Sequence, residues 1–365
     1  MSSLDDPIVV EATNLRTHFK ARSGLVASWL GHGDKAVRAV DGVDVAIRSR
    51  SIVGLVGESG CGKSTLGMTL VRMHEPTGGE VYFKGEAVTR AKGAALKRYR
   101  RHAQIIFQDP YSSLNPRLTV REIVEEPLRI HRLGNARERL ESVREALALV
   151  RMPPDEYLNR HPSDLSGGQR QRVAIARALV MKPEFIVADE PVSMLDVSIQ
   201  AGVLELLDEL SRKLGLAVLY ISHDIATVGY ICDRVAVMYL GRVVEEGPVA
   251  KILNASAHPY TNRLIAAIPN VDPTVRRKRI ELAGDVPSPM NIPPGCRFAT
   301  RCPYATDLCH AVEPELFGVS PDQRARCHLF MPDDYPPADG YTRPVRDDDY
   351  AVKRTADDPG GQLVA

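Results

Sequence analysis

The sequence predicts an α/β fold built around a phosphate-binding loop, and three observations carry that prediction. A short β-branched run at 51–56 leads into Gly57-Glu58-Ser59-Gly60-Cys61-Gly62-Lys63-Ser64, which fits G-x-x-x-x-G-K-[ST], and a helix is expected over 63–73. Two more apolar runs, 185–188 and 217–221, read as buried strands, each followed by a helical pattern. Between these strand–helix units, residues 119–180 read as mostly helical, with an amphipathic pattern over 136–150.

The remaining elements follow from local pattern. Residues 8–20 read as an edge strand, 21–36 as a loop carrying Gly24, Gly31 and Gly33, and 39–47 as a strand because apolar and polar residues alternate. Thr77-Gly78-Gly79 reads as a turn before a strand at 80–84. After 258, Pro259, Pro269, Pro273, Pro287, Pro289, Pro293 and Pro294 interrupt any long element. Beyond 333, Pro336-Pro337, Asp347-Asp348-Asp349 and Pro359-Gly360-Gly361 predict a disordered tail.

Composition excludes some classes. The 365 residues carry a formal net charge of +1, which argues against a nucleic-acid partner. No apolar run approaches the ~20 residues of a membrane-spanning helix. Residues 1–7 are acidic and polar, unlike a secretory signal, so a cytoplasmic protein is expected, with membrane contact only through a partner.

The chemistry is concentrated in a few segments. In the loop, glycines turn consecutive N–H groups toward a phosphate, Lys63 reaches the β- and γ-phosphates, and the Ser64 hydroxyl suits Mg²⁺; Thr65 follows. The strand at 185–188 ends in Asp189-Glu190: the first carboxylate suits Mg²⁺ and the second can polarise an attacking water. Leu165-Ser166-Gly167-Gly168-Gln169 places a capping serine and two glycines at a helix N-terminus, where exposed N–H groups suit a γ-phosphate.

With these motifs in order, residues 8–255 resemble an ATP-binding-cassette (ABC) domain: a phosphate-loop core with an antiparallel β subdomain and a helical subdomain at about 110–180. The resemblance implies that Gln108, in Ile106-Phe107-Gln108-Asp109, contacts Mg²⁺ and the attacking water. It implies that His223, in Ser222-His223-Asp224, contacts the γ-phosphate, and that Ser193-Met194-Leu195-Asp196 is the D-loop, with Met194 in place of the usual Ala. It implies an adenine-stacking aromatic, for which Phe19 is the choice and Trp29 the alternative. It also implies that Ser166, Gly167, Gly168 and Gln169 act on the ATP of another cassette, in a dimer holding two nucleotides.

The last third resembles the extension of ATP-binding subunits of dipeptide and oligopeptide importers: His258-Pro259-Tyr260-Thr261, Pro287-Ser288-Pro289, Pro293-Pro294-Gly295-Cys296 and Cys302-Pro303. Ser113-Leu114-Asn115-Pro116-Arg117 points the same way. The implied domains are a cassette at 1–257, a small irregular cysteine-containing domain at 258–332 and the tail at 333–365. The implied partners are a second ATPase subunit, two permeases and an extracytoplasmic solute-binding protein, with this chain peripheral on the cytoplasmic face of the membrane. Cys296, Cys302, Cys309 and Cys327, spaced C-x5-C-x6-C-x17-C, match neither a zinc ribbon nor a common ferredoxin pattern. The resemblance implies a [4Fe–4S] cluster on them; zinc or no metal stay open.

Overall fold

A computed structural model of the chain describes residues 6–20, 36–268, 287–332 and 335; Trp29 and nearly all of the expected tail lie outside them. The strands run in chain order as β1 (Ile8–Lys20), β2 (Ala36–Arg48), β3 (Ile52–Val56), β4 (Gly78–Phe83), β5 (Glu86–Ala87) and β6 (Ala103–Ile106). They continue as β7 (Phe185–Asp189), β8 (Ala217–Ser222), β9 (Arg234–Tyr239), β10 (Arg242–Pro248), β11 (Phe317–Ser320) and β12 (Gln323–Ala325).

Two sheets result. The first is antiparallel, in the order β2-β1-β4-β5. The second has the order β11-β12-β10-β9-β3-β8-β7-β6, and its run from β9 to β6 is parallel. Parallel strands need covering on both faces, and period-2 alternation sorts their side chains accordingly. Ile52, Val56, Ile186, Ala188, Val218 and Tyr220 pack in one core with the helices of the middle of the chain. Val53, Leu55, Phe185, Val187, Leu219 and Ile221 pack in the other, with the antiparallel sheet.

The helical region contains Val120–Ile130, Ala136–Leu149 and Gly167–Leu179. Each begins with a reciprocal cap: Thr119 with Glu122, Asn135 with Glu138, and Ser166 with Gln169. Among the described residues no helix is long and apolar enough to cross a membrane.

The structure corrects four local expectations. β1 is not an edge: β2 and β4 flank it, because both of its hydrogen-bonding edges pair, with strands from either side of the phosphate loop. Gly78 and Gly79 lie inside β4, with Gly79 held close to the Asn14 carbonyl. The helix after the phosphate loop stops at Leu70, where Arg72 turns left-handed and Met73 N–H reaches back to Met68 O. The segment after 287 is not wholly irregular: β12 pairs with β10, and β11 with β12, so it extends the main sheet.

Candidate functional site

The parallel strands deliver their carboxyl ends to one edge of the sheet, where open α/β folds place ligands. The phosphate loop follows β3, Gln108 lies two residues beyond β6, Asp189 ends β7, and His223 follows β8. The loop, Gln108, His223 and Glu190, the residue after Asp189, converge on one cavity of about 660 Å³; Asp189 does not line it but contacts Ser64, which does. The cavity is lined by Phe19, Val37, Ala39, Ser59, Gly60, Gly62, Lys63, Ser64, Thr65, Gln108, Glu190 and His223.

Backbone sterics shape the loop. Gly62 has φ of 108°, and a Cβ there would stand 1.9 Å from the Ala39 carbonyl oxygen; only glycine fits. The helix Lys63–Leu70 starts immediately after it, so the loop sits at a helix N-terminus, where anions are favoured. The buried Lys63 ammonium donates to the carbonyls of Gly57 (2.7 Å) and Glu58 (3.0 Å). Ser64 Oγ donates to Asp189 Oδ1 at 3.0 Å, which places a hydroxyl and a carboxylate together as Mg²⁺ ligands require. Burial pushes the Asp189 carboxyl up; the Ser64 hydrogen bond pulls it back, and neighbouring Glu190 adds to the rise. A desolvated carboxylate beside a second one is a site that a divalent cation stabilises.

Glu190 is the focus of the polar cluster. Its Oε2 accepts from Gln108 Nε2 at 2.9 Å and lies 3.0 Å from His223 Nδ1. Its backbone has φ of 45°, unusual for glutamate, and its N–H donates to Ile221 O at 2.9 Å. Such local strain concentrates at functional sites. The geometry suits positioning a water that Glu190 polarises while Gln108 and His223 fix its carboxylate.

Some sequence-derived candidates face elsewhere. Gly57, Glu58 and Cys61 do not line the cavity. Cys61 packs in the core, and burial pushes its thiol up. The Glu58 side chain is turned away, into an ion pair with Arg301. Ser166, Gly167, Gly168 and Gln169 do not line it either. Ser166 is exposed and accepts from Gln169 N–H, while Gly168 lies tight against Ile199.

Phe19 does line the cavity, edge-on to His74 with ring centroids 5.3 Å apart. Sequence reasoning missed Val37 and Ala39. The signal was available in principle, since the β1–β2 register sets Phe19 opposite Val37, but that register contains several shifts.

Cys296, Cys302, Cys309 and Cys327 are free thiols, and all four line one cavity of about 20 Å³, room for roughly one water. Burial pushes Cys302 up to about 11 and Cys296 up to about 12, raises Cys327 as well, and in each case neighbouring thiols add to the rise. The donor set fits a thiolate-bound group. The spacing does not: among the described residues no three or more His, Cys, Asp or Glu side chains are grouped so as to hold a metal ion.

A phosphate loop after a central parallel strand, with carboxylates closing β7, two places along the same sheet, defines a phosphate-loop nucleotide hydrolase. Residues 40–193 match the family described as ABC transporter, and residues 244–309 match the oligopeptide/dipeptide transporter C-terminal region. The oligopeptide transport ATP-binding protein AppF of Bacillus subtilis is 44% identical over 333 residues, 90% of this chain and 100% of the relative. A putative peptide import ATP-binding protein of Brucella ovis is 47% identical over 319 residues, 87% of this chain and 97% of the relative. A dimeric ATP-binding cassette solved in a post-hydrolysis state with ADP and Pi is 31% identical with a TM-score of 0.57, covering 66% of this chain and 98% of that one. The cbiO1 protein from Clostridium perfringens, part of the ABC transporter complex cbiONQ, has a TM-score of 0.59 at 26% identity, covering 68% of this chain and 92% of that one. The chain belongs to the ATP-binding subunits of oligopeptide and dipeptide ABC transporters.

Proposed function

We propose that this chain hydrolyses Mg-ATP to drive peptide import, working with a second, non-identical cassette, two permeases and an extracytoplasmic solute-binding protein. It acts peripherally, at the cytoplasmic face of the membrane. The observation that carries the catalytic reading is the cavity at the carboxyl edge of the sheet, which gathers the phosphate loop, Gln108, Glu190, His223 and Phe19.

In this reading Phe19 stacks on adenine, residues 57–65 wrap the phosphates and Lys63 turns from the loop carbonyls to the β- and γ-phosphates. Ser64, Asp189 and Gln108 hold Mg²⁺, which neutralises the phosphate charge when bound. Glu190 polarises a water that attacks the γ-phosphorus; the bond to the β–γ bridging oxygen breaks and ADP and phosphate leave. His223 contacts the γ-phosphate. Ser166, Gly167, Gly168 and Gln169 serve the nucleotide of the partner cassette, a role supported by their lying outside this chain's own cavity, with Ser166 exposed. The cassette is assigned to 1–257, the C-terminal domain to 258–332 and a tail to 333–365.

The four cysteines, free thiols around one cavity, are proposed ligands of a structural [4Fe–4S] cluster; to hold it they must rearrange from the placement described above, which groups no metal site. No catalytic step runs through it. Iron and acid-labile sulfide analysis of anaerobically purified protein should find about four of each per chain; zinc instead, or no metal, overturns the cluster.

The mechanism is tested by Glu190→Gln. ATP binding should persist while hydrolysis falls by about 10²–10⁴-fold, the range for losing a general base. Hydrolysis at the wild-type rate removes the assignment. The transport reading is tested in vesicles carrying the permeases: ATPase activity must rise with peptide-loaded binding protein.

A further inference from the structure

We propose that Arg301, assisted by Tyr260, is a positioning residue for the phosphate loop, so that the C-terminal segment helps set the nucleotide affinity of the cassette. The inference rests on the cavity above being the nucleotide site.

Glu58 is the second residue of the loop, and it is gripped from outside. Arg301 Nη1 donates to Glu58 Oε2 at 2.8 Å, and Nη2 donates to Oε1 at 3.0 Å, a two-pronged pair across 243 residues of sequence. The Arg301 side chain is 5% exposed and the Glu58 side chain 21%. The Glu58 N–H donates to Tyr260 Oη at 2.8 Å, and the Glu58 carbonyl accepts from Lys63 at 3.0 Å. Side chain, N–H and carbonyl of this one residue are therefore all fixed, two of them by groups beyond residue 258.

The grip is itself rigid. Tyr239, Tyr260 and Phe298 pack with ring centroids 4.7–5.4 Å apart, and Arg301 donates to Tyr239 Oη at 3.3 Å. Arg301 closes a short 3₁₀ turn, Ala299–Arg301, whose flanking Phe298 and Cys302 line the four-cysteine cavity. The fold of that segment aims the guanidinium.

Two effects follow. The pair holds the first turn of the loop in place, and it neutralises a carboxylate that would otherwise oppose a polyphosphate close by. Glu58 does not line the nucleotide cavity, so its charge serves the loop rather than the ligand.

The test is calorimetric binding of Mg-ADP, which involves no turnover, to the full-length chain. Wild type should bind and Lys63→Ala should not; if either fails, the nucleotide-site reading itself is wrong. Given those results, Arg301→Gln should weaken binding about tenfold, the scale of one charged hydrogen-bonded pair, and Arg301→Lys should recover most of it. Glu58→Gln should weaken binding less, because it removes the charge together with the partner. The double variant Arg301→Gln with Glu58→Gln should bind no worse than Arg301→Gln alone. Wild-type affinity in Arg301→Gln, or single losses that multiply in the double, overturns the proposal. Should Arg301→Gln fail to fold, Tyr260→Phe replaces it, removing only the acceptor of the Glu58 N–H. A loss of about threefold supports the grip and unchanged affinity overturns it.

Discussion

Glu190 shows how much one position can ask of a side chain. A left-handed backbone, a hydrogen bond from Gln108 and a contact with His223 all bear on it, and none is needed to hold the strand that precedes it. Neighbouring glycines separate steric need from conformational freedom. Gly62 and Gly60 both have positive φ, yet a Cβ at Gly62 strikes the Ala39 carbonyl whereas one at Gly60 meets nothing within 4 Å. Gly62→Ala should therefore cost at least about 2 kcal/mol and abolish the rise in melting temperature that Mg-ATP gives the wild type. Gly60→Ala should keep that rise. Thermal melts with and without nucleotide distinguish them, and equal behaviour would count against the loop geometry. The phosphate loop and Asp189-Glu190 were legible in the sequence because each signal lies within a few residues. The two-pronged contact of Arg301 with Glu58 was not, since nothing local to either residue announces a partner 243 positions away.

At the scale of elements, periodicity read well where strands are buried on both faces and poorly where pairing decides. β3, β7 and β8 stood out as apolar runs. The place of β1 in its sheet was misread because edge and interior strands differ in partners, which a single sequence does not display. The addition of β11 and β12 to the main sheet was hidden for the same reason, their strands being only four and three residues long. Capping was legible: Ser166 does begin Gly167–Leu179. Ser166→Ala should cost about 1 kcal/mol in urea unfolding, the usual value of a lost N-cap.

The docking of the C-terminal segment onto β2 yields a larger prediction. Arg297, 4% exposed in its side chain, donates to Asp41 at 2.6 Å, to Glu313 at 3.1 Å and to the Leu240 carbonyl. Burial pushes the Asp41 carboxyl up, but Arg297, Arg242 and His18 together outweigh it and the net result lies below the ordinary 3.8. A depressed carboxyl stabilises the fold fully above its unfolded value and ceases to do so as pH falls through the folded one. Asp41→Asn should then destabilise by about 3 kcal/mol at neutral pH, since it leaves a buried guanidinium short of one counter-charge. The gap between variant and wild type in urea unfolding should be flat down to about pH 5 and narrow only below 3.8. A gap that closes near neutrality would assign the effect to a different group.

On the scale of the whole molecule, the proposed catalytic parts divide between a cavity and an outward face. The exposed apolar side chains near the Ser166–Gln169 cap make that face distinctive. Tyr111 is 55% exposed, Met194 56% and Val197 82%. Tyr111 Oη comes within 3.7 Å of a Cβ position at Gly167, and Arg170 lies over the Tyr111 ring at 4.2 Å. Solvent-exposed apolar groups beside polar N–H donors are what a surface awaiting a partner presents. If the face meets a second cassette only when nucleotide is bound, a charge there must block closure without touching the cavity. Val197→Asp should leave Mg-ADP affinity of the isolated chain within about twofold of wild type, because Val197 does not line the nucleotide site. In a Glu190→Gln background with the partner cassette and ATP, it should abolish the stable dimer seen by light scattering. Aspartate buried opposite an apolar surface costs several kcal/mol, more than a nucleotide-gated interface of this kind can absorb. A dimer that still forms would show that the cassettes close through some other face.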